Sequence, residues 1–186
     1  MQCHAHSLTR LCAYFKRDQQ RYLYQTRNLC SITTIVSTGK AHMTPQDRAE
    51  KCAALMWGKD GASQSLGMQI AAIGPGTATL KMQVRDDMLN GHGICHGGMI
   101  LTLADSAFAF ACNSHNRLSV AQHLQITYLA PANLGETLTA HATEQARQGR
   151  NGTYDIAVTG AEGRQIALVR GHSHSLNGQH FNEEQA

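Results

Sequence analysis

The chain has 186 residues, with Lys+Arg 16 against Asp+Glu 13 and a formal charge of +3, too weak a field to point to nucleic acid or a membrane surface. It is 42% hydrophobic, enough for a globular core, yet no apolar run approaches the ~18 residues that suggest a bilayer-spanning helix, so a soluble domain is expected. The six cysteines (Cys3, Cys12, Cys30, Cys52, Cys95, Cys112) show no C-x-x-C spacing and follow no secretory h-region; they read as reduced thiols of a cytoplasmic protein.

In chain order, residues 1–42 come first, with six basic residues (Arg10, Lys16, Arg17, Arg21, Arg27, Lys40) and one acid, Asp18. The remainder has ten basic and twelve acidic residues, so the two parts carry +5 and −2. The first part lacks a sustained period of 2.0 or 3.6 and reads as an acid-poor leader bearing Arg, Ser and Thr. An organelle-targeting leader, a disordered tail and upstream DNA translated ahead of a true start at Met43 all fit, and the last is favoured. The 144 residues from Met43 (186 minus 42) have the size of one domain. That domain is expected over 43–176, with a polar C-terminal tail at 177–186.

Thr44 to Leu55 reads as a short helix, capped by Thr44 with Pro45 at N1 and apolar Ala49, Cys52, Ala53 and Met56. Leu66 to Ile73 is a weak strand ended by Gly74-Pro75-Gly76. Thr77 to Arg85 alternates without a break, with Ala78, Leu80, Met82 and Val84 on one face, which marks a half-buried strand. The same period returns at Val120, Leu124, Ile126 and Tyr128, at Leu138, Ala140 and Ala142, and at Tyr154, Ile156 and Val158; a last strand runs from Arg164 to Ser173. The turns between them, Pro131–Gly135, Gln148–Gly152 and Gly160–Gly163, are short enough for hairpins or near-hairpins, so a mostly antiparallel sheet is expected.

One segment departs from this pattern. Gly97 to Asn113, GGMILTLADSAFAFACN, is too long for a strand and has no breaker after its glycines, so it reads as a helix. Ile100, Leu103, Ala104, Ala107, Phe108 and Ala111 cover one side, and Gly98, Thr102, Asp105, Ser106, Ala109 and Asn113 form a narrow small or polar stripe. A helix apolar over most of its circumference must be wrapped, and five or six antiparallel strands curled around it would do so.

Asp105 is the only charge on that helix. Desolvating a carboxylate there is costly unless it is paired or its pKa rises. It is either a hydrogen-bonded residue that fixes the helix or a general base or nucleophile in a half-buried pocket. His96-Gly97-Gly98 opens the helix, and backbone N–H groups at the positive end of the dipole suit an oxyanion; close packing or a tight turn also explains two glycines. Eight residues separate Gly97 from Asp105, roughly 12 Å along one helix. If both act on one carbonyl they come from different subunits, and the dimer is part of the catalytic apparatus.

The run LNGHGICHGGMILTLADSAFAFACNS, Leu89 to Ser114, resembles the signature of hot-dog fold acyl-CoA thioesterases, in detail the PaaI type that hydrolyses phenylacetyl-CoA in phenylacetate degradation. The resemblance extends from about Met43 through ALVRGHSHSL, Ala167 to Leu176. It implies an α+β fold, a curved antiparallel sheet wrapped around one long central helix, in dimers that pair into homotetramers, with no metal or cofactor apart from the coenzyme A of the substrate. Carried over, Gly97 would donate its N–H to the thioester oxygen, and Asp105 of the neighbouring chain would act as base or nucleophile. Asn90 would hold the attacking water or the acyl group, and His96 would orient the loop. Asn90-Gly91 is also a turn signal, and a loop histidine is often structural.

The phosphates of CoA call for basic partners, for which Arg150, in a turn, and Arg170 with Gly171, at the end of the last strand, are best placed; Gly98 joins them as a substrate-binding candidate. Each arginine also fits a solvated surface. His172 and His174 with Cys95 or Cys112 could suggest zinc, but no third ligand has recognisable spacing. A hot-dog hydratase would need an Asp and His sharing a loop, which Asp105 lacks. A non-catalytic acyl-CoA binding protein would leave Asp105 dispensable. Medium-chain acyl-CoA remains the alternative to phenylacetyl or hydroxyphenylacetyl thioesters.

Overall fold

The computed structural model describes residues 43–183. The leader read at residues 1–42 lies outside them, as do residues 184–186. Helix α1 (Pro45–Trp57) opens with a reciprocal capping box: Thr44 Oγ1 accepts the Asp47 N–H at 3.1 Å, and the Asp47 carboxylate accepts the Thr44 N–H at 3.0 Å. Its buried residues are Ala49, Cys52 and Ala53. The strand expected from Leu66 begins only at Gln69. Asp60 Oδ1 caps the Ser63 N–H at 3.0 Å and starts a five-residue helix, α2 (Gly61–Ser65), which Leu66 closes.

Six strands follow: β1 (Gln69–Gly74), β2 (Thr77–Gln83), β3 (Ser119–Tyr128), β4 (Thr137–Gln148), β5 (Asn151–Thr159) and β6 (Gln165–Ser175). All pairings are antiparallel, in the order β1-β2-β4-β5-β6-β3. The β4–β5 and β5–β6 turns are the hairpins the sequence predicts. Pro131–Gly135 is not: it carries the chain from the edge strand β3 to β4 in the interior of the sheet. A strand has two hydrogen-bonding sides, and β4 gives one to β2 and the other to β5, leaving none for β3, which pairs with β6 instead.

Helix α3 spans Gly97–Asn113, as its composition predicts, and the sheet curls around it. Ile100, Leu103, Ala104, Ala107, Phe108 and Ala111 are all buried, in one core with Leu80, Met82, Leu138, Ile156 and Ile166. The Phe108 ring meets Tyr154 edge-on with centroids 5.2 Å apart. Each such fully buried large side chain contributes about 1.5–3 kcal/mol, so the helix is held by its burial rather than by exposed polar contacts.

Two expectations of register are corrected. A bulge between Ala121 and His123 shifts β3 by one residue. Leu124 and Ile126 therefore oppose Gly171 and Val169, while Val120 opposes His174 and is 46% exposed, instead of sharing their buried face. Asn113, expected on the polar stripe, is buried and fully used. Its Nδ2 donates to the carbonyls of Ala109 (2.9 Å) and Ser119 (3.0 Å), and its Oδ1 accepts from the Ser119 N–H (2.9 Å) and His180 Nε2 (2.8 Å).

The segment after Leu176 packs on the body through its last described residues. Asn116 Oδ1 accepts the N–H groups of His180 and Phe181, Arg48 forks onto Glu183 at 2.6 and 2.9 Å, and Lys51 lies 4.3 Å above the Phe181 ring. No helix among the described residues is long and apolar enough to cross a membrane.

Candidate active site

An α-helix begins with four N–H groups that its own backbone cannot satisfy. In α3 three of the four are taken. The Gly98 N–H donates to His96 Nδ1 at 2.9 Å, and those of Met99 and Ile100 donate to the His96 carbonyl at 2.9 and 3.4 Å. The Gly97 N–H has no partner among the described residues. It is a free donor at the positive end of a 17-residue helix, the place where an anion is best stabilised.

His96 is the N-cap of α3. With Nδ1 accepting, the tautomer that makes this cap carries its proton on Nε2, and the backbone N–H of His96 donates to the Met88 carbonyl at 2.8 Å, which ties the loop to the body. This explains Gly98, expected at the substrate: its N–H is occupied by the cap. Gly97 is glycine for a different reason. A Cβ there would lie 2.9 Å from both Cζ and the hydroxyl of Tyr128, and the same hydroxyl donates to the Gly97 carbonyl at 2.8 Å. The ring of Tyr128 thus holds the backbone that carries the free donor.

Asn90 closes its own loop. Its Oδ1 accepts the His92 N–H at 2.9 Å, its N–H donates to the Ile94 carbonyl at 2.9 Å, and its carbonyl accepts from Gly93 at 2.9 Å. The turn reading of Asn-Gly therefore holds, while Nδ2 has no partner among the described residues and is left for a ligand.

Asp105 is half-buried and has no hydrogen-bond or ion-pair partner among the described residues. Burial pushes its pKa above the ordinary aspartate value. The alternative in which a hydrogen-bonded Asp105 fixes the helix has no bond in this protomer to rest on. Next to it, Ser106 Oγ lies 2.8 Å from Oγ of the buried Ser63, so α2 roofs part of the polar stripe. Two turns on, burial first and then the Asp105 charge push the Cys112 thiol up to about 12, which keeps it inert.

The structure puts His96 and Gly97 at the start of α3, with Asn90 in the loop that leads into them, opposite Ile94, and leaves Asp105 eight residues beyond Gly97 on the same helix, roughly 12 Å along its axis. The three proposed CoA contacts do not join them. Arg150 sits at the opposite end of the sheet, donating to Asn177 Oδ1 at 2.5 Å. Arg170 forks onto Asp155 at 2.8 and 3.1 Å on the exposed side of the sheet. Gly171 is a packing residue: a Cβ would press to 3.1 Å from the Phe108 ring and 3.2 Å from Leu124. His172 and His174 bond Thr153 and Asn151 through Nδ1, whereas Cys95 and Cys112 are buried in the core, so these four do not converge. Tyr128 and Ser63 escaped the sequence reading. Tyr128 shows there only as the last apolar step of an alternation, and Ser63 is not singled out there at all.

Three comparisons bear on identity. The sequence profile of the thioesterase superfamily matches residues 92–167. The acyl-coenzyme A thioesterase PaaI of Escherichia coli K12 is 41% identical over 123 residues, covering 66% of this chain and 88% of that protein; a putative esterase of Archaeoglobus fulgidus is 35% identical over 149 residues, 80% of this chain and 94% of its own. The solved structure of the E. coli PaaI protein of the phenylacetic acid degradation operon superposes with a TM-score of 0.72 at 38% identity, covering 73% of this chain and 99% of that one. With its central helix, its curled antiparallel sheet and these relatives, the chain belongs to the hot-dog thioesterase superfamily, among the acyl-CoA thioesterases of the PaaI kind.

Proposed function

We propose that this chain hydrolyses aryl-acetyl-CoA thioesters, phenylacetyl-CoA and its ring-hydroxylated forms, to free acid and CoA in the cytoplasm. The observation that carries the reading is the first turn of α3, where every early N–H but that of Gly97 is occupied. A thioester carbonyl oxygen placed there gains its hydrogen bond as negative charge develops in the tetrahedral intermediate. Asp105, unpaired and with a raised pKa, accepts the proton of the attacking water; a carboxylate shifted toward working pH is the better base. The water oxygen bonds to the carbonyl carbon, the C–S bond breaks, and the proton passes from Asp105 to the departing thiolate. Asn90 Nδ2 is placed to hold that water or the acyl group. No cofactor enters these steps.

One protomer cannot present Gly97 and its own Asp105 to the same carbonyl, so the site needs a second copy. β3 supports this. It is a ten-residue edge strand, whereas the other edge, β1, is short, bulged and covered where Gln46 Nε2 donates to the Ile73 carbonyl at 2.8 Å. An uncovered edge of that length invites pairing with another chain, and antiparallel β3–β3 pairing about a two-fold axis runs the two α3 helices past each other. Pairing of such dimers into a homotetramer is part of the proposal. The test is thiol release from a matched panel of aryl-acetyl and straight-chain acyl-CoA thioesters: higher kcat/KM for phenylacetyl-CoA supports the reading, preference for medium chains moves the substrate, and binding without thiol release refutes hydrolysis.

A further inference from the structure

The outer face of the sheet carries histidines that the site at α3 does not use. A Cβ on Gly171 would meet the Phe108 ring, so residue 171 faces the helix and strand alternation turns His172 to the outer side. There it opposes His123 across the β3–β6 ladder, with ring centroids 6.0 Å apart and planes 34° from parallel. Two imidazoles on one tetrahedral zinc, with Zn–N bonds of about 2.0–2.1 Å, keep their ring centres roughly 5 Å apart. Rotation of the exposed His123 side chain closes the difference. His172 Nδ1 lies 3.2 Å from Thr153 Oγ1, and when that nitrogen donates to the hydroxyl, Nε2 keeps its lone pair, as in metal-bound histidines. His123 has no hydrogen bond among the described residues.

The bulge in β3 adds a third donor. Regular alternation sends neighbouring side chains to opposite faces, but the extra residue between Ala121 and His123 is Gln122, and Gln122 and His123 line one hollow of about 430 Å³ together with His172, Thr153, Gln148 and Asn151. Bulges re-aim side chains in this way, often beside functional sites. Among the described residues no Asp, Glu, Lys or Arg lines the hollow and no third His, Cys, Asp or Glu joins the pair. A hard cation such as magnesium finds no carboxylate there, whereas imidazole suits the later first-row metals. We propose that His123, His172 and the Gln122 amide oxygen bind a divalent cation of the zinc, nickel or copper class, with water completing the shell, and that the cation fastens the edge strand β3 to β6. The site lies apart from Gly97 and Asp105 and does not rest on the thioesterase reading. The spacing of histidines along the chain hides it, because its two rings meet only through strand pairing and the amide joins them only through the bulge.

The test uses the untagged full chain, stripped with a chelator and titrated with zinc, nickel and magnesium in calorimetry and thermal unfolding. Zinc and nickel should each bind and raise the melting temperature as the logarithm of their concentration, and magnesium should do neither. His123→Ala and His172→Ala should each abolish that rise. Thr153→Val, which frees the His172 ring, should weaken binding about 10- to 100-fold, and Gln122→Ala should weaken it as well. His174→Ala, which removes a ring bonded to Asn151, should leave it unchanged. A second measurement needs no variant: in diethyl pyrocarbonate labelling of the wild type, mapped by mass spectrometry, zinc should protect His123 and His172 and leave His174 as reactive as before. No shift with zinc or nickel, an equal shift with magnesium, a shift that survives both histidine substitutions, or labelling of His123 and His172 that zinc does not reduce overturns the proposal. An unaffected Gln122→Ala strikes the amide from the set.

Discussion

Gly97→Ala is the smallest change that reaches the free donor of α3. The new methyl would sit 2.9 Å from Cζ and from the hydroxyl of Tyr128, well inside ordinary carbon contact, which begins near ~3.5 Å. The helix is fixed by its buried side, so the ring must yield and surrender its 2.8 Å bond to the Gly97 carbonyl, or the first turn must shift. Tyr128 is 48% exposed and its ring tip can swing aside, so the cost is close to that of the lost hydrogen bond, about 0.5–1.5 kcal/mol, and at ~2–4 °C per kcal/mol for a chain of this size the melting temperature should drop by a few degrees. Displacing an oxyanion donor by a fraction of an ångström should lower kcat on the order of 10- to 100-fold. Tyr128→Ala removes the obstacle, so Gly97→Ala should cost less in that background, with a coupling of about 0.5–1.5 kcal/mol in a double-mutant cycle. Thermal unfolding and thiol-release kinetics on the four proteins read both quantities. Strict additivity in stability would refute the contact, and an unchanged kcat in Gly97→Ala would refute the role of that N–H.

Three other expectations follow from the same geometry. Asp105→Asn should lower kcat by about 10²- to 10⁴-fold with little change in KM. It should also raise the melting temperature at neutral pH: with its folded pKa raised by burial, the carboxylate's penalty is absent below its unfolded value and fully present above its folded one, so a falling melting temperature contradicts the desolvated, unpaired placement. His96→Ala should destabilise by about 1 kcal/mol through loss of the cap on Gly98, and His96→Asn, a good N-cap, should recover stability but not the full rate; unfolding curves that fail to separate the two variants would remove the capping role. Glu144 is half-buried, which raises its pKa, but bonds from Tyr154 and His115 outweigh this and hold it below the ordinary value of 4.5. Its contribution is therefore present above that value and lost as pH falls through the folded pKa, so Glu144→Gln should flatten the acid limb of the stability–pH curve, and a superimposable limb would contradict it.

The helices and strands were legible where one local rule decides. Glycines open α3 and polar residues close it, and Thr44, Pro45 and Asp47 start α1, so both helices begin where the sequence places them. What it hid depends on partners remote in the chain. The bulge at Ala121/His123 leaves the alternation in composition undisturbed yet turns Val120 to the other face. Pro131–Gly135 has the length and residues of a hairpin, and only occupation of both sides of β4 makes it a crossover. At the site, His96, Gly97 and Asp105 announce themselves by type and spacing. Tyr128 does not, because its value lies in a contact 31 residues away, and Gly171 looks like a ligand-side glycine until Phe108 is seen above it.

The central claim is that one chain's Gly97 works with the other chain's Asp105. Gly97→Pro deletes the N–H at the first helical position, where helix geometry accepts proline and His96 already has the extended backbone, φ −62 and ψ 133, that proline requires of its predecessor; the Cβ of proline meets the Tyr128 ring as that of alanine does, so Tyr128→Ala is added to both chains. Asp105→Ala and Gly97→Pro chains should each be nearly inactive alone. After verified subunit exchange in equal amounts, half the dimers carry one of each, with one intact site of two, so the mixture should recover about a quarter of the specific activity of the Tyr128→Ala parent. Complete exchange with no recovery would place both residues in a single protomer's site and contradict the account.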